Sequence, residues 1–123
     1  MSAWVAVAAA GSVGALSRWW LVQALGAREL GSPWAILIVN VLGCAVFGLG
    51  VALFDGRFTG HETARTAVLT GFLGAFTTFS SFAWETVSLV EQGRVALAVL
   101  NVGLQNGAGL VGLWLGLVVG RGI

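Results

Sequence analysis
The sequence predicts an all-α integral membrane protein of four transmembrane helices in a single domain. Hydrophobic residues make up 58% of its 123 residues and charged residues 9%. The mean hydropathy is +0.94, far from the balance of a soluble domain of this size. A helix needs about 20 apolar residues to cross a hydrocarbon core of roughly 30 Å. Four such runs fit the single domain 1–123, over residues about 3–25, 34–54, 66–90 and 95–119. Short connections use up the remaining length, so no extramembrane domain is expected.

Met1 to Gly11 has no basic leader, so the first apolar run reads as a retained span and not as a cleaved signal. It carries the small residues Gly11, Gly14 and Ala15, then Arg18 and the pair Trp19-Trp20, which suits an interfacial anchor. Arg18 reads either as a side chain snorkelling to the nearer interface or as a charge lining an aqueous vestibule. The segment Gly26 to Pro33 is a connection, with Pro33 suited to the first turn of the next helix. In the second span Asn40 is the one strongly polar residue, and helical spacing puts it on a face with Gly43, Phe47 and Gly50. Asn40 serves there either as interhelical glue or as a pore-lining amide donor. Cys44, the single cysteine, has no partner for a disulfide. Asp55 to Arg65 holds the densest charge and reads as a connection, and its His61 lacks the companions of a metal site.

The third span contains Gly71-Phe-Leu-Gly-Ala-Phe-Thr-Thr-Phe-Ser-Ser-Phe-Ala-Trp-Glu85, which no plain lipid-facing helix resembles. Hydrocarbon offers hydroxyls no partner, so these groups must face protein, water or an ion. Thr77-Thr78-Phe79-Ser80-Ser81 places β-branched and hydroxyl residues where a helix prefers Leu or Ala. Two states are open. In one the helix is broken and its freed carbonyls and N–H groups can face ions. In the other it is continuous and each hydroxyl bonds back one turn. Phe79 and Phe82, three apart, project from one side, either as core packing or as ring edges whose positive quadrupole attracts an anion weakly. Weak contacts suit conduction, because tight binding would trap the ion. Glu85 is the one carboxylate expected within a span and is a functional candidate for that reason.

A short turn near Glu91 to Arg94 leads to the fourth span. There Asn101, Gln105, Gly109, Gly112, Gly116 and Gly120 fall on one stripe, built for close helix contact and polar at one end. Arg57, Arg65 and Arg121 lie on one side of the predicted membrane, with Arg28, Arg94 and the nearby Arg18 on the other. That is almost no positive-inside bias. A chain that inserts both ways can form antiparallel dimers.

Three motifs together resemble the small Fluc fluoride channels, also called CrcB-like proteins. They are Gly14-Ala15-x-x-Arg18, Asn40-Val-Leu-Gly43 and Gly71-x-x-Gly74-x-x-Thr77-Thr78-Phe79-Ser80-Ser81-Phe82-x-x-Glu85. The resemblance implies an antiparallel, dual-topology homodimer with a broken third helix, two fluoride pores and a central structural sodium ion. On that basis Phe79 and Phe82 supply ring edges along the anion pathway, Asn40 an amide donor, and Thr78, Ser80 and Ser81 hydroxyls. The backbone carbonyls of Gly74 and Thr77 from both subunits hold the sodium. Arg18 corresponds to a vestibule residue and Glu85 closes the third-span motif. The fourth span departs from the family. Where an aromatic hydroxyl and Ser or Thr are expected to continue the ion track, this chain has no tyrosine and offers Asn101 and Gln105.

The expected function is passive, selective fluoride export across a bacterial plasma membrane. The expected partners are fluoride, lipid and a second copy of the chain, without nucleic acid. No enzyme is expected, since the paired carboxylates, activated nucleophile or ligand cluster of an active site are missing. A proton-coupled exporter of the small multidrug-resistance type would want a carboxylate deep in the first span, which has only Arg18. A non-transporting assembly subunit is the third reading, compatible with the glycine repeat.

Overall fold
The computed structural model describes residues 2–25 and 33–123. The connection and the Arg28 charge read from the sequence lie wholly or largely outside these residues. Helix α1 runs Ala3–Ala24 and α2 runs Pro33–Gly56, opened by Pro33, which loses no helical hydrogen bond at that position. The third apolar segment is composite. It begins as α3 (Glu62–Thr66), widens into a π-helical stretch (Ala67–Leu73) and tightens again as α4 (Gly74–Phe76). After Thr77 and Thr78 it continues as α5 (Phe79–Glu91), and α6 (Val95–Gly122) ends the chain. Four helical segments, Ala3–Ala24, Pro33–Gly56, Glu62–Glu91 and Val95–Gly122, are long and apolar enough to cross a membrane.

Polar and apolar groups are distributed opposite to a water-soluble bundle. Asn40, Thr78, Glu85, Asn101 and Gln105 are buried, while Trp4, Leu16, Trp20, Val99, Leu110 and Trp114 are exposed. In water such a surface would aggregate; in lipid it is solvated, and the interior is the one place where side-chain amides find partners.

The most extensive helix pair is α2 on α6, and its closeness follows from glycine. A Cβ at Gly48 would fall on the Leu113 carbonyl, and one at Gly116 on the Ala45 carbonyl. Gly112 and Gly120 are tight to a lesser degree, with a Cβ 3.2 Å from the Val41 carbonyl at the first and 2.6 Å from Ala52 Cβ at the second. The buried residues of α6 are Ala98, Asn101, Gln105, Gly109, Gly112, Gly116 and Gly120, which is the stripe that helical spacing draws. Helix α1 approaches the π-helical stretch in the same backbone-to-backbone way. A Cβ at Gly14 would strike the Phe72 carbonyl, and one at Gly71 would lie 2.9 Å from the Val7 carbonyl.

Two sequence expectations are adjusted. The charged segment at 55–65 is not a plain connection, since α2 continues to Gly56 and α3 starts at Glu62. An ion pair between Arg65 and Asp55 spans the turn, and Thr66 Oγ1 donates to the Glu62 carbonyl at 2.9 Å. Phe47 and Gly50 are only partly buried, because α2 turns Gly48 and Ala52, not Phe47, toward α6. At the far end of α5, Gly93 (φ 74°) closes the helix. Its N–H donates to the Val90 carbonyl and that of Arg94 to the Leu89 carbonyl, the paired bonds of a left-handed glycine cap.

The glycine contacts set a stability test on one helix. Gly116→Ala forces its methyl into the Ala45 carbonyl and is expected to destabilise the purified protein by about 1–3 kcal/mol in thermal denaturation. Gly109→Ala meets only Cys44 Sγ at 3.6 Å, ordinary van der Waals contact, and is expected to hold or raise stability.

Candidate functional site
The hydroxyl-rich stretch becomes a site because two residues leave the helical path. Thr77 (φ −82°, ψ 157°) and Thr78 (φ −148°, ψ 112°) are extended. The Thr77 N–H still reaches the Leu73 carbonyl at 3.1 Å, and its hydroxyl donates to the same oxygen. Thr78 instead turns to α2. Its N–H donates to Asn40 Oδ1 at 2.8 Å, and its carbonyl accepts from Asn40 Nδ2 at 3.1 Å. The Asn40 amide thus takes the place of a neighbouring peptide. Because the Thr78 N–H is spent on Asn40, it does not close the usual helical bond to the Gly74 carbonyl.

Gly43 explains why this docking works. A Cβ there would collide with Thr77 Cγ2 and come within 3.2 Å of the Phe76 ring. Asn40 and Gly43, one turn apart, therefore have complementary roles. One holds Thr78, and the other leaves room for Thr77.

The next helix starts on Thr78 itself. Its side-chain oxygen accepts from the Ser81 N–H at 3.2 Å, an N-cap for α5. The same hydroxyl lies 3.2 Å from Ser80 Oγ and donates to Ser81 Oγ at 3.1 Å. A hydroxyl has one hydrogen, so Ser80 donates to Thr78, and the Ser81 hydroxyl hydrogen has no partner among the described residues. Phe79 and Phe82 meet edge to face with ring centroids 5.3 Å apart. Phe82 is buried at 8% exposure, whereas Phe79 is 77% exposed on the single chain.

The fourth span supplies the third wall. Gln105 Oε1 accepts from Asn40 Nδ2 at 3.0 Å, so α2, the extended residues and α6 meet through amides. Asn101 lies apart from that cluster and donates to Thr86 Oγ1 at 3.0 Å. Thr86, which in turn donates to the Phe82 carbonyl at 2.8 Å, was missed in the sequence although Thr78, Phe82 and Thr86 repeat at helical spacing. Arg18 points inward: its Nη1 donates to the Thr77 carbonyl at 3.4 Å. Glu85 is 4% exposed, and its Oε2 and the Gln105 Nε2 are buried without a hydrogen-bond partner among the described residues.

The fold and this polar interior define a small multi-pass membrane protein whose buried hydroxyls and amides gather around two extended residues of the third segment. A family model described as "CrcB-like protein, Camphor Resistance (CrcB)" matches residues 5–117, and the chain belongs to that family. It is 44% identical to a protein of Magnetococcus marinus over 97% of this chain and 96% of that one. It is 42% identical to a protein of Solidesulfovibrio magneticus, covering 94% of this chain and 93% of that one. A third relative, from Acidobacterium capsulatum, is 38% identical over 98% of this chain and 95% of its own length. All three relatives are named fluoride-specific ion channel FluC.

The cap on α5 gives a separable test. Thr78→Val keeps the shape but removes the oxygen, and it is expected to cost about 1 kcal/mol in thermal or chemical denaturation. Thr78→Ser keeps the cap and is expected to lose only a few tenths of a kcal/mol.

Proposed function
We propose that the chain is a fluoride-selective channel that passes the ion passively across the bacterial plasma membrane. The observation that carries this is the junction of ring pair and donors at Thr78: Phe79 and Phe82 edge to face beside the hydroxyls of Thr78, Ser80 and Ser81, with the Asn40 and Gln105 amides behind them. Fluoride is strongly hydrated, so a pathway must replace its water with donors. Hydroxyls, amides and ring edges do so without a fixed cation that would trap it. The three named relatives support the choice of anion.

Thr77 and Thr78 act, in this reading, as a break in the third span. The start of α5 then faces the pathway with the partial positive charge of a helix N-terminus. Phe79 is left uncovered by its own chain, which favours a second copy as the missing wall. The near balance of arginines between the two sides allows that copy to insert the opposite way, giving an antiparallel dual-topology homodimer. Asn101 and Gln105 extend the pathway on α6, and Arg18 lies at its approach.

A sodium ion fits the carbonyls of Gly74 and Thr77. Both are neutral hard oxygens of the kind such a cation takes, and the Gly74 carbonyl is released by the turn of Thr78 toward Asn40. The Thr77 carbonyl, with two lone pairs, keeps one beyond its long 3.4 Å contact with Arg18. Bound between two copies, the ion would tie the protomers together. Conduction follows the donors and ring edges.

The test is fluoride efflux from liposomes. The wild type is expected to release fluoride in preference to chloride, and Phe79→Ile with Phe82→Ile to slow release at least about tenfold, the loss of a few weak ring-edge contacts. Unaltered flux in the double variant would remove the aromatic pathway, and wild type that passes no fluoride would remove the channel.

A further inference from the structure
We propose that the cleft between the far ends of α2 and α6 binds an anionic phospholipid, its phosphate held by Arg57 and Arg121. The proposal needs only the chain's place in a membrane and is independent of the ion that it passes. Both helices are long and apolar enough to cross a membrane, so their last residues lie where headgroups begin. There the two ends leave an open cleft of about 530 Å³, lined by Arg57 on one side and Arg121 on the other. Arg121 follows Gln105 by 16 residues on the same helix, about 24 Å at 1.5 Å per residue. The cleft is therefore separate from the amide cluster around Thr78.

The lining is ordered as a phospholipid is. Leu53 and Leu117 line the cleft four residues before Arg57 and Arg121, so each arginine stands one helical turn outside a leucine on the same face. The Arg57 N–H donates to the Leu53 carbonyl at 2.8 Å, which carries that turn of α2 out to the arginine. Deeper still, the two helices close where Ala52 meets Gly120. A phosphate at the arginines thus leaves its acyl chains beside an apolar wall. Charge decides which headgroup fits. Asp55 also lines the cleft, but its carboxylate is paired with Arg65. Neither Arg57 nor Arg121 has a carboxylate within ion-pairing distance among the described residues. Two unpaired guanidiniums beside a neutralised carboxylate favour a lipid of net negative charge over a zwitterionic one. Guanidinium matches phosphate in a bidentate fork, and basic pockets between membrane helices suit headgroups. The carbonyl ends of α2 and α6 oppose an anion, but with about half a charge each against two full ones.

The test is native mass spectrometry of the full chain released from micelles that hold phosphatidylglycerol and phosphatidylcholine in equal amounts with identical acyl chains. Wild type is expected to retain phosphatidylglycerol over phosphatidylcholine by at least about tenfold, the weight of one hydrogen bond between charged groups. Arg57→Gln with Arg121→Gln is expected to bring that ratio near one. Arg94→Gln, at the opposite end of α6, is expected to keep it. Equal retention of the two lipids by wild type, or a double variant as selective as wild type, would overturn the proposal. So would an equal loss in Arg94→Gln, which would mean diffuse attraction between a basic protein and an anionic lipid. Inorganic phosphate added in large excess is expected to displace no lipid. Displacement would make free phosphate the ligand and would overturn the lipid assignment. Should the double variant not fold, thermal denaturation of wild type decides. Phosphatidylglycerol is expected to raise the melting temperature and phosphatidylcholine at the same mole fraction to leave it unchanged. The same shift with both lipids would overturn the site.

Discussion
The pair of hydrogen bonds between the Asn40 amide and the Thr78 peptide is the interaction on which the rest of the site depends. It satisfies both backbone groups of a buried residue that has left the helix, where an unpaired N–H or carbonyl is costly. Each such bond contributes a net of about 1 kcal/mol, but losing Asn40 would strand the Thr78 N–H, its carbonyl and Gln105 Oε1 together, each orphan costing about 1–3 kcal/mol. That asymmetry makes the extended pair a stable state of the fold and not a frayed one. Thr78, once held, can cap α5, and the ring pair of Phe79 and Phe82 takes its direction from that cap.

Glycine determines whether Asn40 can reach. Gly43 makes space for Thr77, while Gly48, Gly112, Gly116 and Gly120 bring α6 close enough for Gln105 to accept from Asn40. Gly14 and Gly71 do the same for α1 and the π-helical stretch, which brings Arg18 to the Thr77 carbonyl. Small residues here act on polar chemistry at a distance. They set the helix separations, and the separations decide which amides meet.

The helical segments are legible in the sequence because apolar length and sparse charge leave few alternatives. The stripe from Asn101 to Gly120 is legible because periodicity maps directly onto a buried face. The hydroxyl stretch stands out for the same reason in reverse, since hydrocarbon has no use for Thr77 to Ser81. Pairing is another matter. Asn40 and Thr78 are separated by 38 residues and Asn40 and Gln105 by 65, so nothing local indicates that they bond. The direction of each amide emerges only once the Thr78 N–H is placed. The π-helical stretch Ala67–Leu73 leaves no mark in its composition, and the ion pair between Arg65 and Asp55 bridges a connection that reads from the sequence only as a cluster of charge.

The most direct measurement is an experimental structure of the protein purified with sodium and fluoride, at a resolution that places the backbone from Leu73 to Ser81. The expected result is Thr77 and Thr78 extended, the Asn40 amide closed on the Thr78 peptide, and two antiparallel copies whose Gly74 and Thr77 carbonyls face a shared ion. A regular helix running through Thr77 and Thr78, with Asn40 turned elsewhere, would contradict it.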